Sequence, residues 1–197
     1  MATVLPAPFL HIPSYIMKIA NHLKETNIAE YILYMFQLED TLRAYDCDPD
    51  RLADEYVSRF DWSDEDKDDE AEWLSELCIM MQDEGKTKSG HLLSNLGTIS
   101  LLTDLHLQLL ESPKQAFYKA AYYKALPYIV EFRAKSHGEE ALELQNCFDM
   151  LYAVMLLRLQ KREISKGTQE AVAAVSQLIA LLARAWKQER EGTLEIE

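Results

Sequence analysis

Apolar residues recur at helical spacing along most of the chain. Near its end Val172, Val175, Ile179, Leu182 and Trp186 are separated by three, four, three and four positions, which places them on one face of a helix from Thr168 to about Arg190. Proline and glycine fall between such segments at Pro49, Gly85, Gly90, Pro113, Gly138 and Gly167, while Gly97 and Pro127 interrupt one. This punctuation predicts seven helices. Asn27 caps the first, to about Tyr45; Asp48 and Pro49 open the second, to about Phe60; Ser63 begins the third, ended by Gly85. Ser89 begins the fourth, which closes at Ser112 and Pro113, and the fifth follows, kinked or split at Pro127. The sixth covers about Glu139 to Glu163. No segment of useful length alternates like a strand. The expected fold is all-α, a single compact bundle of about seven helices, with residues 17–197 as the domain and 1–16 as a leader outside its core. The segments "AEYILYMFQLED" and "CFDMLYAVMLLRL" are apolar nearly all round and are expected at the centre of the bundle.

One stretch, "LLTDLHLQLL", alternates over six residues and contains Asp104-x-His106, a pairing that could grip a metal at a strand end. Leu92, Leu96, Ile99, Thr103, His106 and Leu110 carry the helical spacing across the whole segment, and this longer pattern decides for helix. His106 then faces the core and Asp104 a polar strip about 200° of rotation apart per two residues, so they cannot share an ion. No metal ligand set is predicted.

Charge narrows the partners. The formal net charge is −13, which disfavours nucleic acid and anionic membrane. Eight acids and one lysine lie in "DWSDEDKDDEAE", residues 61–72, where a solvated loop leading into a helix N-terminus accounts for them; the glycine of a calcium loop is missing. Cys47, Cys78 and Cys147 are odd in number and far apart in sequence, as expected for reduced buried thiols. The first residues lack a basic region and are broken by prolines, and the longest apolar run, Met150–Leu157, is too short for a bilayer, so a cytoplasmic place is expected.

Charged or chargeable residues share faces with apolar ones at Glu39, Arg43, His106, Arg133 and Arg158. If they converge, three guanidiniums and one carboxylate could hold an anionic ligand; if not, each arginine buries its stem and Glu39 and Arg43 form an intrahelical pair. Tyr118, Tyr122, Tyr123 and Tyr128 are read as core packing with hydroxyls at its edge. No nucleophile elbow or phosphate loop occurs, so no catalytic residue and no cofactor is predicted, and an enzyme would need a constellation assembled in three dimensions.

In "NIAEYILYMFQLEDTLRAY", "LLTDLHLQLL", "YYKALPYIVEFRAK" and "LLRLQKREIS" the chain resembles an uncharacterised bacterial family of all-helical proteins known as a domain of unknown function. The resemblance covers about Met17 to the C-terminus and implies a helical cytoplasmic protein, with no activity or site residue to carry over. Those relatives begin near the equivalent of "MKIA", which makes Met17 the expected natural start. The function expected is that of a helical binding or scaffolding protein, acting by self-association or contact with another protein. The alternative is an anion binder or enzyme built on the five polar residues.

Overall fold

All regular structure among the described residues, 15–136 and 141–196 of this computed structural model, is helical. The expected leader, apart from Tyr15 and Ile16, lies outside those residues, as do Gly138 and the expected start of the sixth helix at Glu139. The elements are α1 (Ile16–Thr26), α2 (Ile28–Ala44), α3 (Pro49–Arg51), α4 (Asp64–Asp83), α5 (Leu93–Glu111), α6 (Ala116–Ser136), α7 (Glu143–Leu159) and α8 (Lys166–Arg190). After α3 the chain continues through a π turn, Leu52–Tyr56, and a 3-10 turn, Val57–Arg59.

Several ends were legible in sequence. The Asn27 side chain accepts from Glu30 N–H at 3.4 Å at the start of α2. Asp48 accepts from Asp50 and Arg51 with Pro49 behind it, and Ser63 accepts from Asp66. Both place a side-chain oxygen on first-turn donors that have no partner within their helix. Helix α6 runs on through Pro127. Helix α1 is an addition to the seven expected, because Asn27 was read as the first helix start, and the chain turns there from one helix straight into the next.

The chain groups into two compact units, Met1–Glu25 with Tyr34–Asn95, and Thr26–Leu33 with Leu96–Glu197. In the first, Phe36, Leu42, Leu52, Leu74, Cys78 and Met81 are fully buried, and α4 packs against α3 and the turns that follow it. Part of the acidic run has a structural task here. Glu70, 1% exposed, accepts from Met17 N–H at 2.9 Å, and Asp66 accepts from the Tyr15 hydroxyl at 2.5 Å, so α4 caps the N-terminus of α1. Burial pushes the Glu70 carboxyl above the usual carboxylate range, against the opposing pull of the Met17 and Ile16 amides.

In the second unit α6 packs on α8, and α7 touches both. Its buried residues include Leu102, Leu105, Leu109, Ile129, Phe148, Val175, Leu178 and Leu182. The α5–α6 turn is tied to the chain's end, with the Ser112 hydroxyl donating to the Ile196 carbonyl at 2.6 Å.

Candidate functional site

The five polar residues singled out in sequence fall in three settings. Glu39 and Arg43 stand on α2 in the first unit, one turn apart, with Arg43 Nη2 3.9 Å from Glu39 Oε2. Glu39 is 1% exposed and does more than face its neighbour. Its Oε1 accepts from Leu92 N–H at 2.9 Å and from Asn95 Nδ2 at 2.7 Å, while Oε2 meets His91 Nδ1 at 2.6 Å. The His91 ring stacks on Phe36 with centroids 3.5 Å apart. Arg43 donates from Nε to the Lys86 carbonyl at 3.0 Å, from Nη2 to the Gly90 carbonyl, and from Nη1 to Asp40 at 2.7 Å. Together the pair fastens the loop before α5 and sets a carboxylate on the Leu92 amide at the start of that helix, where negative charge is favoured.

His106 and Arg133 belong to the second unit and meet through a residue the sequence reading missed. His106 is on helix α5, 3% exposed, and Asp104 is exposed, as the helical spacing requires. Its Nδ1 lies 2.6 Å from the Tyr118 hydroxyl. Its Nε2 lies 3.7 Å from Glu143 Oε1, and Arg133 Nη2 lies 3.6 Å from Glu143 Oε2. The Tyr122 ring meets the imidazole edge-on at 5.1 Å. The polar influence of His106, then of Tyr122 and the Arg133 charge, holds the Glu143 carboxyl below the usual carboxylate range against the opposing effect of its burial. Burial raises the Tyr118 hydroxyl well above its ordinary value, and the Nδ1–hydroxyl contact fixes the orientation of the imidazole. Burial likewise raises the Cys147 thiol, one turn from Glu143 on α7.

Glu143 thus stands where an anion between His106 and Arg133 would sit. Arg158, in the last turn of α7, is exposed. Sequence periodicity pointed to His106 and Arg133 but not to Glu143, His91 or Asn95, whose roles come from contacts between elements. Among the described residues no group of three or more His, Cys, Asp and Glu is placed to hold a metal ion. All three cysteines are buried and free, and burial pushes the Cys78 thiol up to about 12.

A different surface is left open. Helix α6 buries Tyr118, Ala121, Ala125 and Ile129, yet its opposite side is also apolar: Phe117 is 88% exposed, Tyr123 66% and Val130 53%. Ala116, Ala120, Pro127 and Ala134 are exposed between them. Tyr123 therefore departs from the core role expected of the tyrosine run, while Tyr118 fulfils it. From Lys114 to Lys135 the chain carries five cations and one acid, a net +4 in a protein of net −13. Large apolar side chains left exposed together on one side of a helix mark contact surfaces.

Compared with known proteins, the chain matches a family model described as Domain of unknown function (DUF4924) over residues 17–193. No curated protein and no solved structure matches it.

Proposed function

The chain belongs to the Domain of unknown function (DUF4924) family, and since that membership carries no activity, we propose from its own surfaces that it is a helical binding protein acting through the outer face of α6. The observation that supports this reading is the exposed row Phe117, Tyr123 and Val130 on a helix whose other side is already buried. Burying one such side chain is worth roughly 1.5–3 kcal/mol, so three of them supply a usable driving force for a protein contact. An anionic ligand is the weaker reading, because Arg133 and His106 already face Glu143, and Arg43 already faces Glu39 and Asp40. The net charge of −13 favours a protein partner over nucleic acid, and we place the protein in the cytoplasm. Among the described residues no helix is long and apolar enough to cross a membrane.

A photo-cross-linking amino acid at Tyr123, compared with one at the exposed Gln177 on α8, tests the reading in cells producing the full chain. Protein adducts at position 123 that disappear when Phe117→Asp is added are expected. Equal yields at both positions, or none at 123, would remove the reading.

A further inference from the structure

Lysines stand on both edges of the apolar stripe of α6, and from this we propose that its partner is an acidic amphipathic helix of another protein, apolar along one side with carboxylates on both flanks. The proposal rests on the reading of α6 as the binding surface and names the chemistry of what it binds. With about 100° of rotation per residue, the exposed positions Ala116, Ala120, Tyr123, Pro127, Val130 and Ala134 lie within roughly 40° of one line along the helix. Lys119 stands about 60° to one side of that line and Lys124 about 80° to the other. Phe117 shares the Lys124 flank.

The other cations of this stretch are already engaged. Arg133 Nη2 lies 3.6 Å from Glu143, Lys135 pairs with Glu131, and Lys114 Nζ lies 3.9 Å from Glu195. Lys119 and Lys124 have no acidic partner among the described residues, so each can give its ammonium to an incoming carboxylate. An acid on each edge of the partner would meet a lysine on each edge of the stripe, while apolar side chains close over Tyr123 and Val130 between them. The chain accepts a segment of this kind already. Beside the start of α6 its own Leu194-Glu195-Ile196 alternates apolar and acidic residues, with Leu194 and Ile196 half-buried. Gln115 Nε2 donates to the Glu195 carbonyl at 2.7 Å, the Ser112 hydroxyl donates to the Ile196 carbonyl, and Lys114 faces the Glu195 carboxylate.

Other occupants lack part of this chemistry. A second copy would bring lysines to lysines, and residues 1–14 hold no acid. An anionic lipid surface has the charge, but Pro127 has no N–H to give the Tyr123 carbonyl, and an acceptor without its helical donor on the stripe is disfavoured in hydrocarbon. A polar side chain of a protein helix can donate to it. The stripe is about 27 Å long, or roughly five turns. A contact of that length lies at the small end of specific interfaces, so the complex forms and dissociates readily.

A displayed library of random peptides about 18 residues long, enough to span the stripe, tests the proposal when selected on the purified full chain. Selection should return apolar residues at helical spacing with Asp or Glu on both flanks. The leading sequence, made as a free peptide, should shift the amide resonances of Tyr123 and Val130 and leave that of Gln177 in place. Its affinity should fall roughly tenfold or more for the Lys119→Glu, Lys124→Glu double variant, whose Tm should match the parent's. The same peptide with its acids replaced by lysine should prefer the double variant. No enrichment, enriched peptides without acids, or binding that ignores the lysine reversal in a folded variant would each overturn the proposal. Phosphatidylserine vesicles that bind the parent but not Phe117→Asp overturn it in favour of a lipid surface. A photo-cross-link from position 123 to residues 1–14 or to a second copy overturns it as well. Adducts with another protein at position 123 in cells that survive the double reversal, with no acidic peptide selected, leave the binding reading standing and remove the acidic partner. No adduct at position 123 removes both.

Discussion

Helices α6 and α8 pack on each other in the same unit, yet they treat their outer faces in opposite ways. Helix α8 buries Val172, Val175, Leu178, Ile179 and Leu182 and turns Ser176, Gln177, Arg184 and Lys187 outward. Helix α6 buries Tyr118, Ala121, Ala125 and Ile129 and turns Phe117, Tyr123 and Val130 outward. The first is what a helix needs to be stable at a protein surface; the second has an apolar side that stays exposed among the described residues. The lesson is that α6's inner residues account for stability and its outer ones have no such account, so substitutions on the two sides should separate the two properties.

The largest effect is expected inside. Ile129→Ala, at a site 1% exposed, should cost about 2–5 kcal/mol and lower Tm by several degrees in thermal unfolding. Tyr118→Phe should cost about 1–3 kcal/mol, because it leaves the buried His106 Nδ1 without its hydrogen-bond partner. A smaller, pH-dependent effect comes from Glu143. Its carboxyl is depressed in the fold, so the stabilisation is fully present above the unfolded value of about 4.3 and is lost as pH falls through the folded value. The Tm difference between parent and Glu143→Gln should therefore be widest near neutrality and close below pH ~4; a gap that widens on acidification would contradict the His106–Glu143–Arg133 assignment. The smallest effect is expected outside. Phe117→Asp and Gln177→Asp should each change stability by less than about 0.5 kcal/mol, and the two should differ in association alone.

How much of this was legible in sequence follows from how local each cause is. Asn27, Asp48 and Ser63 announce helix starts because a cap acts on amides two or three residues away. The burial of His106 was legible because a period of 3.6 held over nineteen residues outweighs six that alternate. The resemblance from Met17 onward agrees with the family match beginning at residue 17. Helix α1 was not legible, since one asparagine serves both the end of one helix and the start of the next. Glu143, His91 and Asn95 were hidden for another reason. His91 and Asn95 lie 52 and 56 positions from Glu39, and nothing in local spacing distinguishes a carboxylate that will be buried by another element from one in water. The outer face of α6 was hidden because a helix apolar on both sides has no periodic signal to say which side the fold will take.

Photo-cross-linking from position 123 in cells, in the otherwise native chain and with Phe117→Asp added, beside the melting curves of the two proteins, tests the central claim most directly. The account predicts protein adducts in the first, their loss in the second, and an unchanged Tm. No adduct at position 123, or adducts that survive Phe117→Asp in a folded protein, would contradict it.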